Sequence, residues 1–190
     1  MKCRICRLLC FWLAVGLPLA SFSASPCPDR YQDTIEEAAD RFLPGVDWRL
    51  WKAQLCAESR LEPDAVSPVG AEGIAQFMPA TWREIAPAAG VGAASARQVR
   101  PAALAGAYYM ARLRRGWSSP RPEADRHSLA MASYNAGFGH LLTAQRRCGG
   151  PVLYAEIIAC LPEVTGEHSR ETIGYVTRIW RLYTVEVVGP

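Results

Sequence analysis

Glu58-Ser59-Arg60-Leu61-Glu62-Pro63-Asp64-Ala65-Val66-Ser67-Pro68-Val69-Gly70-Ala71-Glu72-Gly73-Ile74-Ala75-Gln76-Phe77-Met78-Pro79-Ala80-Thr81 contains a helix end, a turn-rich loop and a helix start in one run. Upstream, Asp47 is a fair N-cap for a helix that continues to about residue 60. At about 100° per residue, Trp48, Trp51, Leu55 and Glu58 of that helix fall within an arc of about 80°. A carboxylate therefore continues an apolar stripe. As an anion it suffers twice, from desolvation and from the negative end of the helix dipole, and both effects raise its pKa. That is what a general acid working near neutral pH requires. A buried glutamate can also be a structural partner of an arginine, so the loop behind it has to decide. Pro63, Pro68, Gly70 and Gly73 punctuate residues 61–73, and Pro79 suits the first position of a following helix.

Outward from this stretch the periodicity stays helical. Ile35, Ala38, Ala39 and Phe42 mark an amphipathic helix closed by Pro44-Gly45. Further helices are predicted over 79–87, 101–115 with Gly116 as the stop, 122–136 with Gly137 as the stop, 138–147 and 152–161. The last, over 169–187, sets Ile173, Val176, Trp180, Tyr183 and Val187 on one face. Residues 88–100 are small and irregular, and strand periodicity is absent. The fold class is mainly α. A chain of 190 residues, 50% apolar, has material for one domain with a sizeable core. No repeat or linker divides residues 25–190.

Residues 1–24 read as an export signal: Lys2, Arg4 and Arg7 precede an apolar run over 8–20, and small residues follow. The run is shorter than the roughly 20 residues a membrane anchor needs, and it carries Pro18. No later segment is apolar enough to span a membrane. Without the signal the chain has 18 basic against 18 acidic residues, a balance that makes no electrostatic case for nucleic acid. Cys3, Cys6 and Cys10 lie in the signal, leaving Cys27, Cys56, Cys148 and Cys160, enough for two disulfides in an exported domain. Four cysteines allow three connectivities; Cys148 and Cys160, which bracket a Gly149-Gly150-Pro151 turn, are the expected local pair, and that choice would leave Cys27 to reach Cys56. His127, His140 and His168 show no metal spacing, and no phosphate-binding glycine loop occurs, so no cofactor or metal is expected. Trp82, Tyr108, Tyr109 and Trp117 could stack on a sugar, with helical core as their default place.

The stretch from Glu58 to Thr81 resembles the first motif of the lytic transglycosylases of the goose-type lysozyme-like superfamily. Two further segments resemble that family in the right order: Ala132-Ser133-Tyr134-Asn135-Ala136-Gly137-Phe138-Gly139 and Glu171-Thr172-Ile173-Gly174-Tyr175-Val176. The resemblance implies a lysozyme-like helical domain with a saccharide-binding groove. It also implies an enzyme that cuts the β-1,4 bond between N-acetylmuramic acid and N-acetylglucosamine in peptidoglycan and closes the muramoyl C6 hydroxyl onto C1. Glu58 would be the single acid/base, assisted by the substrate N-acetyl group, where ordinary glycosidases use two carboxylates.

Other positions carry over one at a time. Ser67 resembles a serine that hydrogen-bonds the substrate N-acetyl group, although a serine in such a loop also serves as a turn residue. Gln76 and Met78 match groove-lining residues. Tyr134 matches a tyrosine whose hydroxyl lies near the catalytic carboxylate, with Asn135 as its helix-end companion. Glu171 resembles a groove glutamate, and Tyr175 is expected to pack beneath the site with a sugar within reach. Two departures stand out: Ile74-Ala75 where many members carry Leu-Met, and Ser133 where alanine is common. A goose-type hydrolase and a weakly catalytic peptidoglycan-binding assembly factor remain as alternatives. The implied partners are the glycan strands of peptidoglycan and, for small single-domain members, a secretion, conjugation or pilus apparatus; the implied location is the bacterial periplasm.

Overall fold

Helix α2 (Trp48–Ser59) is buried from Leu50 to Cys56 without a break, so the rest of the molecule is arranged around it. Asp47 caps it as expected, its carboxylate accepting from the Arg49 amide at 3.0 Å. Within this helix Lys52 is itself buried and reaches Glu186 at 3.0 Å and Asp29 at 3.4 Å, which anchors its charge. The computed structural model describes residues 27–189; the export signal read over 1–24 lies outside the described residues.

The remaining elements are α1 (Gln32–Phe42), α3 (Pro79–Ala88), α4 (Val99–Gly116), α5 (Glu123–Ala136), α6 (Phe138–Arg147), α7 (Tyr154–Ile158), α8 (Pro162–Thr165) and α9 (His168–Val188). The described residues are mainly helical, with extended pairing limited to the bridges Val66 with Glu72 and Glu72 with Phe77. Helix α2 packs on α9 and α1, α1 on α4, and α5 on α4, α6 and α9. One apolar core runs through all of these, built from residues such as Trp51, Leu55, Met110, Leu129, Met131 and Ile179. Among the described residues no helix is long and apolar enough to cross a membrane.

Two expectations are corrected. The helix read over 152–161 is only the short α7, which ends in a turn through Ala159 to Leu161 before α8 begins. Pro162 cannot continue a helix from the preceding turn but suits the first position of a new one. The face assigned to the last helix is also displaced: Ile173 and Val187 are exposed, while Thr172, Tyr175, Val176, Ile179 and Leu182 are buried. Helix α9 touches α2, α5 and α8, and a helix with several neighbours buries a face that a single apolar stripe does not define. Cys148 and Cys160 form the local disulfide, with Cα atoms 5.9 Å apart, and close the segment around α7. Cys27 and Cys56 are buried together with their thiols hydrogen-bonded to one another.

Candidate active site

Helix α2 ends at the groove. Its C-cap Arg60 and the next residue, Leu61, both take left-handed backbone angles, φ 56° and 61°, which turns the chain sharply out of the helix two residues after Glu58. Leu61 is fully buried, so packing holds a conformation that a β-carbon disfavours. The loop beyond is closed by backbone bonds: Ser67 N to Ala71 O at 2.9 Å, Gly73 N to Ala65 O at 3.0 Å, and Glu72 and Phe77 exchanging two bonds of 3.0 Å. Gly73 has φ 75°, and a β-carbon there would lie 2.0 Å from the Ala96 carbonyl oxygen, so this residue has to be glycine.

Gln76 is a third strained position, φ 45°. Its side-chain amide donates to Gly73 O at 2.9 Å and to Ala65 O at 3.3 Å, spanning the loop from within. Ser67 Oγ accepts from Ala71 N at 2.9 Å. Both residues line the same cavity as Glu58, so each braces the loop and keeps one polar function for the groove.

That cavity measures about 440 Å³ and is open on one side. Glu58 and Met78 come to it from the two ends of the loop, Tyr134 and Asn135 from the end of α5, and Glu171 and Tyr175 from α9. Glu58 keeps part of its surface open to the groove while protein closes round the carboxyl group. Burial raises its pKa from 4.5 to about 7; a hydrogen bond from Tyr175 and the charge of Arg178 oppose the shift, and Glu171 adds to it. Tyr175 Oη donates to Glu58 Oε1 at 2.5 Å. Burial, then the neighbouring Glu58, holds the hydroxyls of Tyr175 and Tyr134 well above the usual tyrosine range, so both are protonated donors. Asn135 accepts from Thr172 Oγ1 at 2.7 Å and donates to Glu171 Oε1 at 3.4 Å, tying α5 to α9 at one end of the groove. A larger hollow of about 600 Å³, lined by Arg41, Tyr108 and Arg114 among others, shares no residue with the groove and presents no carboxylate.

A buried glutamate near the end of α2 thus faces a groove whose other walls come from α5 and α9. A family model described as "Transglycosylase SLT domain" matches residues 33–151, more than half of the chain. The chain belongs to the Transglycosylase SLT domain family. Membrane-bound lytic murein transglycosylase F 1 of Alkalilimnicola ehrlichii is 37% identical to it over 117 residues, 62% of this chain and 22% of that protein. Membrane-bound lytic murein transglycosylase F of Serratia proteamaculans is 28% identical over 176 residues, 85% of this chain and 35% of that protein. The chain thus spans at most about a third of the length of these relatives. Among solved structures, an inactive mutant of lytic transglycosylase Slt from Pseudomonas aeruginosa superposes with a TM-score of 0.66 at 23% identity, over 86% of this chain and 25% of that one. The 70 kDa soluble lytic transglycosylase SLT70 of Escherichia coli gives 0.67 at 22%, over 85% and 25%. These two likenesses establish a shared fold.

All eight candidate residues of this SLT domain line one cavity. Both tyrosine hydroxyls feel the charge of Glu58, but they bond to different partners. Tyr175 makes the direct bond to Glu58, whereas the Tyr134 hydroxyl donates to Ala75 O at 2.8 Å. Tyr134 is drawn to that carbonyl by its own packing, in a ring cluster with Tyr109 at 5.1 Å and Phe77 at 6.2 Å. Trp117 is core, Trp82, Tyr108 and Tyr109 are half-buried against it, and none of the four lines the groove. The departure at Ser133 has a reason: its hydroxyl accepts from Trp117 Nε1 at 3.0 Å and donates to Leu129 O at 2.7 Å in the buried core. Arg178 was not anticipated, although its spacing from Glu171 and Tyr175 on one helix was a signal that could have found it.

Proposed function

We propose that this chain is a peptidoglycan lytic transglycosylase, that residues 25–190 are its catalytic domain, and that it works in the bacterial periplasm after export by residues 1–24. The observation that carries the reading is Glu58: a carboxyl group with a pKa near 7, set in a groove whose other acid, Glu171, is engaged by Asn135. The family membership and the names of the relatives support the substrate class.

In the first step Glu58, protonated, gives its proton to the glycosidic oxygen between the muramoyl and glucosaminyl rings as the C1–O bond breaks. The carbonyl oxygen of the muramoyl N-acetyl group bonds to C1 from the other face and takes up the positive charge. Glu58, now a carboxylate, accepts a hydrogen bond from Tyr175, which steadies the anion for the time it exists. In the second step it removes the proton of the C6 hydroxyl, whose oxygen closes on C1 and displaces the acetamido oxygen. The product is a 1,6-anhydro ring, and Glu58 ends protonated as it began. A group that must give and then take one proton works best with a pKa near the operating pH. Ser67, with its loop amide bond already made, retains a hydroxyl hydrogen for the acetamido group.

Digestion of purified sacculi with the protein, followed by mass spectrometry of the released fragments, tests the proposal. Anhydro ends, one water lighter than reducing ends, are the expected product. Reducing ends would instead make it a hydrolase, and absence of release would leave a binding protein.

A further inference from the structure

Glu171, Tyr175 and Arg178 stand at i, i+4 and i+7 on α9, within an arc of about 60°, and all three line the groove. Along the helix axis Arg178 lies about 4.5 Å beyond Tyr175, and Glu171 about 6 Å before it. Glu58 sits against Tyr175 between them. The groove therefore has an acidic end, a proton-holding centre and a cationic end.

The two acids have direct partners and the cation has none. Glu171 is bonded by Asn135 and Glu58 by Tyr175. Arg178 is exposed, makes no hydrogen bond or ion pair with any described residue, and is the one cationic side chain among the described residues lining this cavity. Its charge reaches Glu58 only through space. A guanidinium held at the end of a groove with five unspent donors is suited to a planar oxyanion.

Resting on the reading of the groove as a peptidoglycan site, we propose that Arg178 is a carboxylate-binding position that reads the substituent on the muramoyl 3-oxygen. The sugar rings of the strand are neutral, so the charge available to Arg178 is carried by that substituent. It is either the lactyl carboxylate of a peptide-free muramoyl residue or a carboxylate of an attached stem peptide. Recognition of either sets the strand's direction in the groove, with the carboxylate-bearing side toward Arg178 and away from Glu171.

The test uses isothermal titration of the full chain carrying Glu58→Gln, with and without Arg178→Gln, against three probes. One is a chitooligosaccharide, which has no carboxylate; the second is a peptide-free muramoyl oligomer; the third is the same oligomer bearing stem peptides. Arg178→Gln is expected to reduce the preference for a carboxylate-bearing probe over the chitooligosaccharide by about fivefold, the scale of a partly exposed charge-assisted pair. Arg178→Lys should retain most of that preference, and salt should erode it in the parent. The probe whose preference falls identifies the source of the carboxylate. Equal weakening toward all three probes, or no change toward any, overturns the proposal while leaving the saccharide reading intact. If the Glu58→Gln protein binds none of the three, the saccharide reading fails and this proposal with it.

Discussion

Tyr175 Oη and Glu58 Oε1 lie 2.5 Å apart, joining two helices whose residues are separated by 117 positions in the chain. The phenol is a donor to the carboxylate, so it favours the ionised form and partly offsets the burial that raises the pKa. Tyr175→Phe should therefore move the alkaline limb of the activity profile upward by about one pH unit, the scale of a hydrogen bond to a charged group. Measuring kcat/KM from pH 4 to 9 in both proteins checks this. An unmoved limb would mean that the hydroxyl does not act on the acid.

Glu58→Gln should lower turnover by roughly a thousandfold or more, as expected when a general acid is removed, while the folded state survives. The same carboxyl predicts how stability varies with pH. Its folded pKa is raised, to about 7 from 4.5, so between those values the folded state holds more protons than the unfolded state. The contribution is full at acid pH and is lost as pH rises through about 7. Denaturant melts at pH 5 and pH 8 should show the parent losing stability over this window and Glu58→Gln losing less. A parent and variant with parallel pH dependence would argue against the raised pKa.

Much of this was legible because helical periodicity and turn residues are local properties. The groove stretch also carries much of its instruction locally: Gly73 takes a φ that favours glycine, and Gln76 binds carbonyls 3 and 11 residues away in the chain. What could not be read was set by distant packing. Which tyrosine bonds Glu58 depends on α9 packing against α2, more than a hundred residues away in the chain, and the ring cluster of Tyr134, Tyr109 and Phe77 involves three separate segments. The exposed side of α9 was misassigned for the same reason. Its neighbours, not its own apolar spacing, select the buried face.

The cysteines make a redox prediction. Cys148 and Cys160 are bridged, and Cys27 and Cys56 already lie in hydrogen-bond contact, buried against one another. In an oxidising compartment the second pair should also lose its two hydrogens to a disulfide donor and become a bridge. Protein isolated from a periplasm should then show no reactive thiol in denaturant and a mass lower by two hydrogens per bridge. Two thiols labelled at Cys27 and Cys56 would show that this pair stays reduced.

Gly106 sits inside α4 with ordinary helical angles, where replacement by alanine would by propensity alone gain up to about 1 kcal/mol. The neighbours reverse that sign. A β-carbon at Gly106 would lie 2.7 Å from two atoms of the Trp51 ring and 3.4 Å from the Ala75 side chain. Trp51 belongs to α2, one of the largest fully buried side chains, two turns before Glu58. The departure at Ala75 becomes intelligible here, because a long side chain in place of Ala75 would compete for the space that Gly106 leaves around that ring. Gly106→Ala should therefore cost about 1–3 kcal/mol, the usual penalty of overpacking, and the strain should pass along α2 to the acid. Combining it with Trp51→Phe, which shortens the ring, should return part of the loss. Thermal melts of the two single variants and the double variant measure the coupling, and purely additive effects would mean that Trp51 is not what Gly106 accommodates.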